Sequence, residues 1–146
     1  MNEHIKNACT GVENADYIKE MQEKYHRADR FAAEAVGARI DSCADGHAVC
    51  SLEIQPIHMN GHGGVMGGVT FTLAEFAFAV ACDAMRTVAV TLASSVQYLA
   101  APKGTRLIAE ARRVREGRTA CFYAVSVSDD TGRHIAEISI TGHKAG

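Results

Sequence analysis

The spacing of hydrophobic and polar residues changes along the chain, and each change predicts a different element. Between residues 13 and 35, apolar side chains recur near helical spacing among charges, which indicates a surface helix or two short ones. Gly37 then interrupts the pattern. Residues 38–43 and 47–55 alternate as strands do, and the Asp-Gly pair at 45–46 predicts a hairpin turn between them.

A long apolar run occupies the middle of the sequence. Pro56 ends the preceding strand because proline cannot donate to a sheet ladder. The fifteen residues 68–82 (GVTFTLAEFAFAVAC) contain a single charged residue, Glu75. A helix that is hydrophobic on almost every face is a buried helix. We therefore expect this helix to run to about residue 84 and to be wrapped by a sheet.

Four further strands complete the predicted fold. The patterned runs cover residues 87–99, 105–115, 119–128 and 134–143, with turn-forming residues between them. The short turns predict that the last strands form an antiparallel meander. The fold class is α+β, with a strongly curved antiparallel sheet around one long helix. We expect one domain over residues 1–146, in which residues 1–30 form a helical extension.

Composition and charge argue against several classes of function. Hydrophobic residues make up 47% and charged residues 22% of the chain, as in globular proteins. With a net charge of −2, no Trp and 6% aromatic residues, the chain lacks the basic surface and stacking side chains of a nucleic-acid-binding protein. The apolar run is too short to cross a membrane. We therefore expect neither nucleic acid nor a membrane as a partner.

The cysteines indicate a reducing compartment. All five are scattered and no CxxC pair exists, which argues against a disulfide framework and against a cysteine zinc site. The N-terminus has no apolar core of the kind found in secretory signals. The expectation is a cytoplasmic protein without a metal site.

Glu75 and the glycine-rich segment before it predict a functional site. Carboxylates are rarely buried without a partner, and burial is one way in which a carboxylate becomes a useful acid, base or nucleophile. The segment HMNGHGGVMGG (58–68) brings backbone amides to a helix N-terminus. It contains neither a dinucleotide-binding fingerprint nor a Walker A motif. The alternatives are a structural carboxylate and a flexible turn.

The segment HMNGHGGVMGGVTFTLAEFAFAVAC resembles the central signature of hotdog-fold acyl-CoA thioesterases, especially the phenylacetate-pathway branch. A second segment, SSVQYLAAPKGTRLIAEARRVREGRT, resembles the strand, turn and strand that follow in that family. The resemblance implies the hotdog fold and hydrolysis of an acyl-CoA thioester, with no cofactor besides that substrate. A non-catalytic acyl-CoA-binding protein and a hydroxyacyl thioester dehydratase are the alternatives.

The resemblance also implies roles for four residues. The N–H of Gly67 would polarise the thioester carbonyl, and Glu75 would attack it or activate water. Asn60 would bind the carbonyl region or hold the water. A hydroxyl on the next strand, at Thr91, would assist. The family usually has Asp where this chain has Glu75.

Other positions in the matched motif are candidates for substrate binding. His58 and Gly68 are assigned to this group. We prefer to interpret His58 and His62 as loop histidines that bond to the backbone, because no metal-binding helix motif surrounds them. Met66 replaces the histidine of the family's His-Gly-Gly, and it supplies neither a proton nor a strong hydrogen-bond donor.

A cluster of four arginines surrounds the predicted turn at residues 116–117. Its members are Arg112, Arg113, Arg115 and Arg118. They form either a solvated strand end or a binding site for the phosphates of coenzyme A, which arginine is well suited to bind.

The spacing along the helix predicts an oligomer. Gly67 and Glu75 are eight residues apart, so they lie about 12 Å apart along a helix axis. One thioester cannot contact both residues of the same chain at the distances that catalysis needs. A two-fold axis would bring the two groups together from different subunits. We therefore expect a homodimer, and the resemblance implies that the dimer is often doubled into a homotetramer.

Overall fold

The computed structural model describes residues 15–84 and 88–145. In chain order its main elements are α1 (Ala15–Ala28), β1 (Arg39–Ala44), β2 (His47–Glu53), α2 (Gly67–Asp83), β3 (Ala89–Tyr98), β4 (Arg106–Glu116), β5 (Ala120–Asp129) and β6 (His134–Lys144). The predicted strands and the long helix agree with these bounds to within two residues at each end.

The segment predicted as one or two surface helices forms two elements. It is divided into α1 and a π-helical turn, Phe31–Val36. Gly37 ends the second element in a left-handed conformation, with φ at 78°, which glycine adopts without steric cost. The first 14 residues of the predicted extension lie outside the described residues.

The six strands form one antiparallel sheet in the order β1-β2-β4-β5-β6-β3. The predicted meander is confirmed for β4, β5 and β6. β3 departs from it, because it pairs with β6 at the edge of the sheet and not with β4, the next strand in the chain. The connection from β3 to β4 therefore crosses the end of the sheet.

Helix α2 packs across the concave side of the sheet, chiefly against β2 and β4. The largest fully buried side chains come from both layers: Leu73, Phe76, Phe78 and Val80 from the helix, and Leu52, Leu107, Val125, Val127, Ile138 and Ile140 from the strands. A long helix wrapped by an antiparallel sheet is the α+β hotdog architecture that the resemblance implies.

The burial of α2 is less complete than its sequence predicts. Gly68 is exposed, and Thr72, Glu75 and Ala79 are half-buried. These residues recur every three or four positions, so they form one stripe along the helix. The sheet, the π-helical turn and Tyr25 of α1 pack against the other faces of α2, and this stripe remains partly exposed.

The two edges of the sheet differ. On β1, the N–H of Ile40 donates to Oε1 of Gln22 on α1 at 2.6 Å, so the helix covers this edge. β3 forms the other edge of the sheet. Two of its large apolar residues are exposed, Val90 by 57% and Leu92 by 65%.

The four cysteines in the described residues are free and buried, and they pack as small residues of the hydrophobic core. Cys9 lies outside the described residues. No helix in the described part of the chain is long and apolar enough to cross a membrane.

Candidate active site

The start of α2 presents unpaired backbone amides. The first N–H groups of a helix have no partner within the helix, and no hydrogen bond involves the N–H of Gly67 or Gly68 within the described residues. The N-cap is Met66, whose side chain does not cap the helix. A serine or aspartate at this position would bond one of the amides. Met66 therefore leaves them available to a ligand oxygen.

Tyr98, near the end of β3, holds the first turn of α2. Its hydroxyl donates to the carbonyl oxygen of Gly67 at 2.9 Å. A Cβ atom added at Gly67 would lie 2.9 Å from Cζ of this ring, so a larger residue here would make the ring shift and would disturb this hydrogen bond. No matching restriction applies to Gly68, where an added Cβ would meet nothing.

Asn60 braces the glycine-rich loop in front of the helix. Its Oδ1 accepts the N–H of His62 at 2.9 Å and that of Gly64 at 3.1 Å. Its own N–H donates to the carbonyl of Gly64 at 2.7 Å. The Oδ1 atom is thus used by the loop, and the Nδ2 donor is the part of the side chain that remains for a substrate or water.

The assignment of His58 to substrate binding does not fit its surroundings. His58 is 3% exposed. Its Nδ1 accepts the N–H of Gln55 at 3.0 Å, so the proton is on Nε2, which donates to the carbonyl of Ala35 at 3.3 Å. Both ring nitrogens are used by the backbone, as in the preferred interpretation for a loop histidine. The residue fixes the loop and offers no nitrogen to a ligand.

Glu75 is held by two hydroxyl groups of β3. Its Oε2 accepts the hydroxyl of Thr91 at 2.9 Å, and its Oε1 accepts the hydroxyl of Ser94 at 3.0 Å. No cation forms an ion pair with Glu75 in the part of the chain that the structure describes. The structure thus brings Thr91 to the carboxylate and adds Ser94, which the sequence did not indicate.

A β-bulge explains why two residues three apart reach the same carboxylate. Thr91 pairs with Gly142 and Ala93 pairs with Thr141, so Leu92 is an extra residue without a partner in β6. Regular alternation would place residues 91 and 94 on opposite faces. The extra residue restores Ser94 to the face that looks at α2, a displacement typical of bulges beside active sites.

A cleft of about 490 Å³ opens at the helix start. Its lining residues are Asn60, Gly64, Val65, Gly67, Thr70, Tyr98, Leu99, Ala100, Ala101, Pro102 and Ile135. Glu75 is not among them, because it lies two turns further along α2. Within one chain the amide donors and the carboxylate are thus separate, as the spacing along the helix predicts.

The far wall of the cleft is fastened by a buried carboxylate. Asp129 is 2% exposed, and its Oδ2 accepts the N–H of Lys103 at 2.8 Å and of Gly104 at 3.0 Å. Its Oδ1 accepts from the hydroxyl and N–H of Thr131 and from the N–H of Arg133. The Thr131 hydroxyl and these amides hold the pKa of the Asp129 carboxyl well below its usual range. The wall next to Pro102 is therefore fixed.

The arginine cluster is divided by a second bulge. Arg113 pairs with Tyr123 and Arg115 pairs with Phe122, so Val114 is the extra residue. Nη1 of Arg113 lies 2.6 Å from Oδ1 of Asp45, and Arg113 also forms an ion pair with Glu116. These ion pairs hold the Arg113 guanidinium beside Asp45 and Glu116, so it is less available to a phosphate than the other three arginines.

The remaining arginines of the cluster are exposed. Arg112 lies 3.4 Å from Glu110 in a surface ion pair. Arg115 and Arg118 form no ion pair within residues 15–84 and 88–145. These three exposed side chains are available to a phosphate.

Helix α2 carries two other ionisable side chains, Asp83 and Cys82. Asp83 forms an ion pair with Lys24 of α1, and the surroundings of the Cys82 thiol do not suit a nucleophile. Burial raises its pKa to about 12, and Cys82 is 4% exposed. The thiolate is the nucleophilic form of cysteine. Glu75 is therefore the group on this helix that is suited to chemistry.

Known proteins match both the sequence and the structure. Residues 62–136 match the thioesterase superfamily. The acyl-coenzyme A thioesterase PaaI of Escherichia coli is 30% identical over 115 residues, 78% of this chain and 82% of that protein. The structure of the E. coli PaaI protein covers 89% of this chain and 95% of its own, with a TM-score of 0.79 and 25% identity.

A hypothetical thioesterase protein from Streptococcus pneumoniae, solved with coenzyme A, also matches. It has a TM-score of 0.77 and 27% identity, and the match covers 84% of this chain and 97% of that one. The match to the thioesterase superfamily spans just over half of the chain and includes the helix-start glycines, Glu75 and both hydroxyl residues. The chain belongs to the thioesterase superfamily.

Proposed function

We propose that the protein is an acyl-CoA thioesterase, which hydrolyses the thioester to a carboxylic acid and free coenzyme A. The observation that carries this proposal is the position of Glu75, which lies on the same helix as the unpaired amides of Gly67 and Gly68. The hydroxyls of Thr91 and Ser94 on β3 hold its carboxylate. The relatives described above support it, since one is named an acyl-CoA thioesterase and another was solved with coenzyme A.

The chemistry follows from these groups. The amides of Gly67 and Gly68 polarise the thioester carbonyl and stabilise the oxyanion that forms on attack, a contribution of about 3–4 kcal/mol per donor. Glu75 either removes a proton from the attacking water or attacks the carbonyl to form an anhydride that water then opens. In both routes the C–S bond breaks and the thiol of coenzyme A leaves. No step requires a metal or another cofactor.

We propose that each site is assembled from two subunits of a homodimer. The support is geometric. Gly67 contacts Tyr98 at one end of β3, whereas Glu75 contacts Thr91 and Ser94 toward the other end. Antiparallel pairing of two β3 strands about a two-fold axis would place the helix start of one chain beside Glu75 of the other. The exposed β3 edge and the uncovered stripe of α2 are the surfaces that this pairing would bury.

Further assembly into a homotetramer and a cytoplasmic location remain parts of the proposal. The free, buried cysteines of the described residues support a reducing compartment.

For coenzyme A itself, we propose that Arg112, Arg115 and Arg118 contact the phosphates. The proposal is supported by the exposure and positive charge of these three side chains near the turn between β4 and β5. The fourth arginine, Arg113, forms an ion pair with Asp45. Removing these charges should raise KM for acyl-CoA and spare a short acyl thioester without the nucleotide.

The experiment is turnover of a panel of acyl-CoA substrates by the wild type and by Glu75→Gln, which keeps the shape of the side chain. We expect kcat to fall by about 100- to 10,000-fold, with an unchanged melting temperature. Glu137→Gln is the matched control, because Glu137 also accepts a serine hydroxyl, from Ser126 at 2.6 Å, but lies on β6. A folded Glu75→Gln variant with near wild-type turnover would show that the assignment is wrong. Binding of acyl-CoA by the wild type without turnover would favour the non-catalytic alternative.

A further inference from the structure

Each carboxylate oxygen of Glu75 accepts a hydrogen bond from one hydroxyl group, and the two hydroxyls belong to different side chains. Thr91 reaches Oε2 and Ser94 reaches Oε1, at 2.9 and 3.0 Å. An ionised carboxylate only accepts hydrogen bonds. Each oxygen keeps lone pairs that are not used by these hydroxyls, and those lone pairs are the ones that meet water or substrate.

One donor alone would leave the carboxylate free to turn. The terminal torsion of a glutamate side chain is broad and has no sharp staggered minima. With only the Thr91 hydroxyl bonded to Oε2, the carboxylate group could still rotate about its terminal torsion, and the position of Oε1 would vary. A second donor on the other oxygen fixes the plane.

Ser94 reaches this position only because of the bulge. Leu92 has no partner in β6 and is 65% exposed, while Ala89 and Val96, on either side of the bulge, pack against the core. The helix-facing residues thus change from odd to even numbers at Leu92. Without the extra residue, Ser94 would point away from Glu75.

We propose that Ser94 is a positioning residue, whose hydroxyl fixes the carboxylate plane of Glu75 for attack or for proton removal. The role rests on the proposed function, because it acts through Glu75. A displacement of about 1 Å at a reacting group costs as much as 100-fold in rate, so loss of the second donor should slow the chemical step and leave binding of coenzyme A unaffected.

The test is steady-state kinetics of Ser94→Ala in the full-length protein, with an acyl-CoA that the wild type hydrolyses. We expect kcat to fall by about tenfold or more, with KM within about twofold of wild type, as for an interaction that acts on the chemical step. Ser94→Thr should restore kcat because it restores the hydroxyl. Ser95→Ala is the matched control: Ser95 is the next residue, is exposed, and pairs with Ser139 in the ladder.

A double variant separates positioning from packing. Because both hydroxyls act through one carboxylate, Thr91→Ala combined with Ser94→Ala should lower kcat by less than the product of the two single losses. Ser94→Cys, with a weak donor, serves as a second variant if Ser94→Ala does not fold.

The outcomes distinguish this role from the proposed function. Wild-type kcat in Ser94→Ala, a loss that Ser94→Thr does not restore, or a loss expressed only in KM would each overturn the role of Ser94 while Glu75→Gln stays inactive. An active Glu75→Gln variant would instead overturn the proposed function.

Discussion

At one edge of the sheet, β1 lies against α1, and Gln22 accepts the N–H of Ile40. At the other edge, β3 is the last strand, and it exposes Val90 and Leu92. Exposed edge strands invite pairing with another chain, and proteins usually cover them or place charges on them. β1 is covered from within the same chain, whereas β3 carries apolar residues and no charge. This difference supports the proposal that a second copy covers β3.

The open edge also runs beside both halves of the proposed site. Tyr98 at one end of β3 holds the helix start, and Thr91 and Ser94 hold Glu75. A second copy paired along β3 would therefore stabilise the fold and complete the chemistry at the same time. The covered edge has no functional group of this kind, so changes there should affect stability alone.

The largest expected effect comes from placing charges on the open edge. Val90→Lys combined with Leu92→Lys should convert the dimer to a monomer, because two apolar side chains of each chain would be replaced by like charges at the pairing surface. Turnover should fall by more than about 100-fold, since the donors and the carboxylate would be on separate molecules.

Light scattering after gel filtration, with kinetics on the same fractions, measures both effects. Val114→Lys is the control for oligomeric state, because Val114 is also an exposed bulge residue, 69% exposed, but lies on β4. A double variant that remains a dimer would show that β3 is not the interface.

A smaller effect is expected from Asp129→Asn. Asp129 lies at the end of β5, an inner strand, so the variant changes neither edge of the sheet. The variant should lower the melting temperature at pH 7, because the amide cannot accept all the hydrogen bonds from Lys103, Gly104 and Thr131. It should remain a dimer. This variant therefore separates loss of stability from loss of pairing.

The effect of Asp129 should also depend on pH. The folded pKa of this carboxyl lies below the unfolded value of about 3.9. Its stabilisation is therefore complete above the unfolded value and is lost as the pH falls through the folded one. Melting temperatures of wild type and Asp129→Asn should converge in acid, and a constant difference down to the lowest pH at which the protein folds would contradict this.

The smallest effect is expected at the covered edge. Gln22→Ala removes the acceptor of the Ile40 N–H, and we expect the free energy of unfolding to fall by about 1 kcal/mol. Glu23→Ala, an exposed neighbour on α1, should change it by less than about 0.5 kcal/mol. Chemical denaturation measures both. Any loss of dimer or of turnover in Gln22→Ala would contradict the separation of the two edges.

Much of this arrangement is predictable from the sequence. The apolar run around Glu75 predicts the central helix, and turn residues such as Asp45-Gly46 predict the strand boundaries. Local propensity and periodicity decide these features, and both can be read from neighbouring residues.

The sequence-based predictions miss features that depend on pairing between strands distant in the chain, such as which face of a strand a side chain occupies. The bulges at Leu92 and Val114 depend on the register with β6 and β5, so periodicity alone could not show that Ser94 faces Glu75 or that Arg113 turns toward Asp45. Similarly, the sequence of α2 predicts burial on every face, because an apolar surface that a second chain would cover has the same composition as one covered by the same chain.

The most direct test of the two-subunit site is complementation between two inactive variants. One is Glu75→Ala, and the other is Gly67→Pro, which removes the N–H proposed to polarise the carbonyl and is tolerated at the first position of a helix. Each homodimer should be inactive. In a heterodimer, one site would combine an intact Gly67 with an intact Glu75, so purified heterodimers should recover about half of the wild-type turnover. Verified heterodimers without activity, or a fully active monomer, would contradict the account.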